Sequence, residues 1–258
     1  MKPLEEQGYI IPAFNIDATD YIACANQLAK SLLAQNPSAR ICLLTNVDYV
    51  DNDNLYAYVH VVELLDKQNG WANDCLIFKH TPFRETIKLE ADMLVADSID
   101  HWWDIFRKKD VVLSIGCRDW KNQPSTSRYY RKTFDENNLP DVYNAITYWR
   151  LSTTAQDFFT LVRAIFFNWE KYKTLIKYAE EIPSTDLVYA IAAKIVGVEN
   201  VTVPGSPTIV HMKKHHAGTK TENWTSELVW EFDPLRIQTV AQHGVFHYNI
   251  KDWIHNDI

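Results

Sequence analysis

Residues 39–45, Ala-Arg-Ile-Cys-Leu-Leu-Thr, constrain the fold more than any other stretch of the chain. A nearly all-apolar run of this length is typical of a strand buried on both faces. Such strands belong to sheets covered by helices on each side. The sequence before it agrees. Ile22, Ala25, Leu28, Ala29, Leu32 and Leu33 recur at helical spacing, which predicts a helix over residues 17–36 that Asn36 and Pro37 stop. Residues 9–15, Tyr-Ile-Ile-Pro-Ala-Phe-Asn, read as a strand with its turn. Strand, helix and strand joined by short links make a β-α-β unit, whose crossover is right-handed.

The alternation continues along the chain. Further strands are predicted at 58–64, 86–89, 110–115 and 140–150, and helices at 71–80, 98–106, 154–179 and 185–196. Thr154 and Asp157 resemble a capping box for the longest helix, whose buried face carries Phe158, Val162, Ile165, Phe166, Trp169 and Ile176. Residues 201–203 and 208–210 are apolar fragments, and 238–248 is the best late strand. The sequence shows no internal repeat and no linker rich enough to divide it. The expectation is one domain over 1–258, an α/β/α sandwich around a mostly parallel central sheet. Its core spans about 9–220, with a C-terminal extension at 221–258.

Composition narrows the partners. The formal net charge is −7, so the bulk field repels polyanions and any nucleic-acid contact needs a local basic patch. Cys24, Cys42, Cys75 and Cys117 are scattered in apolar runs without a C-x-x-C pair. They read as buried free thiols in a reducing compartment, not as zinc or redox ligands. The N-terminus lacks the apolar core of a signal peptide, and no apolar run approaches the ~20 residues of a membrane span. A cytoplasmic protein with no membrane partner is expected.

In sheets of this kind ligands bind beyond the carboxyl ends of the strands. The segments that should meet there are 13–15, 45–48, 90–92 and His211. Of these, 90–92 carries the clearest chemistry. The short strand 86–89 delivers Glu90 and Asp92 at its end, followed by the apolar exit 93–95. Alternate residues of an extended chain point the same way, so Glu90 and Asp92 can face one volume while Ala91 packs away. Two carboxylates make a hard-oxygen site suited to Mg2+ or Mn2+, with open positions for phosphate oxygens. The plain alternative is a solvated acidic turn.

The run TIKLEADMLVADSIDHWWDIF at 86–106 resembles the metal-binding D-x-D segment of GT-A-fold glycosyltransferases, the glycogenin and bacterial galactosyltransferase group above all. Glu90 takes the place of the first Asp and Asp92 of the second. Glu for Asp moves the first carboxylate by one methylene. Asp92 is therefore the firmer metal ligand, while Glu90 binds through water or holds the ribose. The resemblance implies a GT-A-like (Rossmann-like) fold, Mn2+ or Mg2+, and a nucleotide-sugar donor such as a UDP-sugar. It places Ala13, Phe14, Asn15 and Tyr21 at the nucleobase, Asn144 beside the donor sugar, and Asp186 on the sugar hydroxyls. For Asp186 an ordinary helix N-terminal carboxylate is the alternative.

A late histidine completes the metal set in that family, and a glycine and lysine follow on the phosphates. Two registers offer themselves. His211 has the right strand before it, with Lys213 and Lys214 after it. His215, Gly218 and Lys220 fit the letters better. The preferred reading gives His211 to the metal and the lysines to phosphate. No residue stands out as a nucleophile, and the resemblance leans to retention of configuration.

The acceptor is a hydroxyl of unspecified parentage. Residues 117–132 interleave Arg118, Lys121, Arg128, Arg131 and Lys132 with Trp120, Tyr129 and Tyr130, so cations can meet phosphates while rings stack on bases. A solvated loop anchored by its aromatics is the alternative. The opening residues, together with TPFRETIKLEADML at 81–94, also resemble small bacteriophage glycosyltransferases, which makes DNA with 5-hydroxymethylated pyrimidines a candidate acceptor. A glycan, lipid or protein acceptor, a non-catalytic sugar-nucleotide or nucleic-acid binding module, and attack at phosphorus by a nucleotidyltransferase or hydrolase are the rivals. The tail 244–253 matches nothing in the resemblance.

Overall fold

The computed structural model describes residues 4–16, 19–119, 122–124, 131–205, 207, 209–212, 215–218, 228–232, 237–241, 244–249 and 251. The first half runs β1 (Glu5–Ala13), α1 (Tyr21–Gln35), β2 (Ile41–Thr45), β3 (Tyr58–Val61), a 3-10 turn (Gly70–Leu76), α2 (Ile77–His80), β4 (Phe83–Leu89) and β5 (Met93–Val95). Next come α3 (Trp102–Phe106), β6 (Val111–Ile115), β7 (Cys117–Arg118), α4 (Arg131–Glu136), β8 (Val142–Arg150), α5 (Thr153–Phe167), α6 (Trp169–Ile176) and α7 (Thr185–Val196). The chain then forms β9 (Ile209–Met212), β10 (His215–Gly218), β11 (Leu228–Phe232), β12 (Ile237–Ala241) and β13 (Val245–Tyr248).

Six strands form the central sheet in the order β3-β2-β1-β4-β8-β6. The first four are parallel. β8 is antiparallel to both β4 and β6, so five of the six strands share one direction. Every residue of β2 is buried, as its apolar run predicts. The period-2 pleat of the strands divides the core in two. Tyr9, Ile11, Ile41 and Leu43 pack in one cluster with Leu28 and Trp103, while Ile10, Cys42 and Leu44 pack in the other with Phe158 and Leu187. Helices α1 and α3 therefore cover one face, and α5 and α7 the other. Among the described residues no helix is long and apolar enough to cross a membrane.

Two helix expectations change in the structure. α5 is capped by Ser152, which accepts from the Ala155 N–H, not by Thr154 with Asp157. The single helix expected over 154–179 is broken at Asn168. There the Asn168 side-chain amide donates to the Ala164 carbonyl at 2.7 Å, competing for the bonds that would carry the helix through. The late strand expected at 238–248 is likewise two strands, β12 and β13.

A second sheet, β5-β13-β9-β7, lies beyond the acidic turn. β13 pairs antiparallel with β5 and parallel with β9. It belongs to the segment 221–258, set apart above as an extension, yet it lies directly beside the strand that leaves Asp92. β10, β11 and β12 make a separate antiparallel sheet.

Candidate active site

β4 sits between β1 and β8, and its carboxyl end delivers Leu89 and then Glu90. Two backbone bonds fix the turn. The Glu90 N–H donates to the Ala145 carbonyl at 3.1 Å, and the Asp92 carbonyl accepts from the Tyr248 N–H at 3.0 Å. Glu90, Ala91 and Asp92 all line a cavity of about 570 Å³, so the acids share one volume as expected. That volume suits a small organic ligand. Ala91, although buried, does not pack away from the cavity, because 91–92 form a turn and not an extended strand.

The tail closes the site. From β13, His247 Nε2 lies 3.0 Å from Asp92 Oδ1 and His247 Nδ1 lies 3.7 Å from Glu90 Oε2. Lys251 Nζ reaches the other Asp92 oxygen, Oδ2, at 3.0 Å. One ligand atom each from Glu90, Asp92 and His247 falls within 4.8 Å of the others. Two carboxylate oxygens and an imidazole nitrogen form a donor set that Mn2+ or Mg2+ accepts. The Tyr143 hydroxyl is hydrogen-bonded to His247 Nδ1, which leaves Nε2 directed at Asp92. Support of this kind orients a ligating histidine.

The charges sort themselves by surroundings. Burial pushes the Asp92 carboxyl up, but His247 and Lys251 override it and hold the group well below the usual range. Burial raises Glu90, and the pull of Lys88 and His247 only partly offsets it. Burial alone would lower His247, yet Asp92 and Glu90 raise it. Lys88 is wholly buried, and burial on its own would neutralise it; Asp74 and Glu90 keep it charged.

The structure distributes the other expected residues as follows. Phe14, Tyr21 and Asp186 line the cavity. Ala13 is buried in the core at the end of β1. Asn15 lines a smaller cavity of about 330 Å³ with Asn46 and Lys67, and Ile16 belongs to both cavities. The Asn15 Oδ1 atom accepts from the Tyr21 N–H at 2.8 Å, which ties the strand turn to the start of α1. Asn144, expected beside the sugar, is fully buried, with its amide directed at Asp74 and its backbone N–H donating to Asp186 at 2.7 Å. It sits behind the cavity wall because β8 is covered there by α7. Asp186 occupies the first turn of α7 and lines the cavity.

His211, expected at the metal, lies on β9 opposite His247 in the strand register. Its ring centroid is 4.9 Å from that of His247, so it lines the cavity beside the histidine that meets the acid pair. His215 and Gly218 lie on β10. Lys213, Lys214, Lys220, Trp120, Lys121, Arg128 and Tyr129 lie outside the described residues. Arg131 opens α4. Arg118 donates to the Asn122 carbonyl at 2.7 Å, and Lys132 pairs with Glu136 at 3.5 Å.

Sequence reasoning missed His247, Lys251, Lys88, Asp74 and Tyr143. For the first two a signal existed: His247 follows the apolar pair Val245 and Phe246, and Lys251 comes after it, much as lysines come after His211. Lys88 was visible as a lone charge inside an apolar strand. A single acid in a short turn, such as Asp74, carries no signal.

A scan of protein-family models gives no match, and a sequence search of curated proteins gives none. Solved structures do resemble the chain. Galactosyltransferase LgtC, in complex with donor and acceptor sugar analogues, superposes with a TM-score of 0.51 and 15% identity over 93% of this chain and 86% of that one. Glycosyltransferase GlyE of Streptococcus pneumoniae TIGR4 gives 0.50 and 9% over 78% of this chain, which spans 45% of GlyE's length. At such identities the likeness concerns the fold. With five of six central strands aligned and helices on both faces, the chain has the GT-A-like fold of these glycosyltransferases.

Proposed function

We propose that the protein is a metal-dependent glycosyltransferase that moves a sugar from a nucleotide diphosphate to a hydroxyl acceptor. The observation that carries this reading is the convergence of Glu90, Asp92, His247 and Lys251 at one end of a cavity that has Asp186 in its wall. Mn2+ or Mg2+ held by Glu90, Asp92 and His247 would neutralise the diphosphate leaving group. Without such a charge the carboxylates would repel the donor.

The chain's own groups divide the remaining work. Lys251 sits at the acid pair as a cation for diphosphate oxygens, the role expected of Lys213, Lys214, Gly218 and Lys220. Tyr143 keeps His247 in one orientation. Phe14 and Tyr21 offer ring faces to a base, and the adjoining cavity at Asn15 and Asn46 offers amides, an arrangement suited to a UDP-sugar. Asp186 accepts from sugar hydroxyls.

The test is incubation with UDP- and GDP-sugars and Mn2+, with the released nucleotide identified. Nucleoside diphosphate together with a glycosylated product supports transfer. Nucleoside monophosphate means attack at phosphorus, and no turnover with any donor leaves a binding module; either defeats the reading. Asp92→Asn should abolish metal-dependent turnover.

DNA with hydroxymethylated pyrimidines is a specific acceptor reading. It is favoured by the strand order β13-β9-β7, which starts the basic segment at Arg118 two strands from His247. A hexose-sized mass gain on hydroxymethylcytosine DNA, absent on glycan, lipid and protein acceptors, is the outcome it requires.

A further inference from the structure

Behind the acid pair lies a charged cluster that the transfer reading leaves unused. Lys88 is 0% exposed. Its Nζ lies 2.6 Å from the Asn144 carbonyl oxygen, 3.2 Å from Asp74 Oδ1 and 3.6 Å from Glu90 Oε1. Asp74, from the 3-10 turn, also accepts from the Tyr189 hydroxyl at 2.5 Å and from Asn144 Nδ2 at 3.3 Å. Asp74 is not sealed off. It is 7% exposed and lines the same cavity as Asp186 and Glu90.

Stability does not explain such a cluster. Apolar side chains of similar volume usually match or exceed a buried ion pair. What the cluster supplies is a carboxylate that stays still, held by donors from β4, β8 and α7. Lys88, Tyr189 and Asn144 all donate to Asp74 and take three of the roughly four acceptor positions of a carboxylate, so what it offers the cavity is an acceptor. The wall made by Asp74 and Asp186 therefore rejects phosphate and selects hydroxyl donors. The lysine that faces the cavity, Lys251, sits at Asp92 instead, beside the imidazole of His247. The cavity is polarised, and a sugar diphosphate fits it in one sense, with the phosphates toward Lys251 and the sugar ring on the acids.

We propose that Asp74 is a specificity residue that accepts a hydrogen bond from one hydroxyl of the donor sugar, with Lys88, Tyr189 and Asn144 as the positioning residues that hold it. The assignment rests on the transferase reading. A site built to bind a hydroxyl discriminates strongly against an analogue that lacks it, because the buried acceptor is then left unpaired.

The experiment is calorimetric titration of wild type, Asp74→Asn and Tyr189→Phe in Mn2+ with UDP, with UDP-glucose and UDP-galactose, and with their monodeoxy forms. Wild type should prefer a parent sugar over one monodeoxy form by about ten- to a hundredfold. Asp74→Asn should erase that preference at that hydroxyl alone and leave the affinity for UDP unchanged. Tyr189→Phe keeps every charge and should weaken the preference part-way, which preserves the test if Asp74→Asn does not fold. Full discrimination retained in the variants, or none in wild type that binds both parent sugars, overturns the proposal while the transferase reading stands. Wild type that binds no sugar nucleotide overturns this proposal, and the turnover assay then decides the broader reading separately.

Discussion

Lys88 and Lys251 each approach an acid of the same cavity, at 3.2 Å from Asp74 and 3.0 Å from Asp92. Lys88 lies inside a strand paired on both sides, with its side chain 1% exposed. Lys251 lies beyond the last described strand, with its side chain 20% exposed. Burial decides what each can do. Leaving Lys88 without Asp74 would hold an ammonium away from water with only Glu90, at 3.6 Å, to balance it, so that pair does not exchange partners freely. Lys251 lines the open cavity, and His247 also contacts Asp92, so a phosphate can draw the ammonium away without leaving that carboxylate unpaired. One lysine is part of the wall, and the other is free to follow a ligand.

Breaking the first pair should give the largest effect. Lys88→Met keeps most of the volume and removes the charge, and it should destabilise the fold by about 3–5 kcal/mol. Denaturant midpoints at constant slope measure this. Adding Asp74→Asn should recover much of the loss, because the orphaned carboxylate goes with it. A single variant that unfolds like wild type would mean that Lys88 is not part of the wall.

The same contrast explains what the sequence could and could not reveal. The strands of the central sheet were legible where they are apolar, as in β2 and the second half of β1, but β1 and β4 begin earlier than expected, at Glu5 and Phe83, where polar and charged residues mask the pattern. The acid pair was legible because two carboxylates one residue apart at the end of a strand fall in one volume, although the chain brings them there by a turn at 91–92 and not by strand alternation. The histidine partner was harder. His211 and His247 face each other across neighbouring strands, so both end apolar runs at the same depth. Local pattern could not say which one meets Asp92; only the pairing of β13 with β5 does. Asp74 and Lys88 are 14 residues apart, and the link between them is tertiary. Asn144 looked like a cavity residue because its strand position was right, but α7 covers it.

Removing the hydroxyl that supports His247 should have the next largest effect. Tyr143→Phe keeps the ring against His211 and His247 and deletes the bond to Nδ1. Loss of such support typically costs about ten- to a hundredfold in metal affinity. Mn2+ titration followed by paramagnetic resonance reads this directly, without turnover. Unfolding midpoints should barely move, unlike those of Lys88→Met. An unchanged Mn2+ affinity would leave Tyr143 as a packing residue and would weaken the case for His247 as ligand.

Lys251→Ala should be mildest for the fold and selective for the donor. His247 keeps its contact with Asp92 when the ammonium is removed, so stability should fall by less than for Lys88→Met. If Lys251 follows the diphosphate, the loss appears instead as a KM for the nucleotide sugar raised about tenfold, the worth of one charge-assisted hydrogen bond. Added salt should narrow the gap between wild type and variant, because a cation in contact with solvent is screened. The Lys88→Met deficit, being buried, should persist in the same salt. A Lys251→Ala variant with unaltered KM and a large stability loss would make the two lysines equivalent struts, and the division of the cavity into a fixed wall and an exchangeable cation would fail.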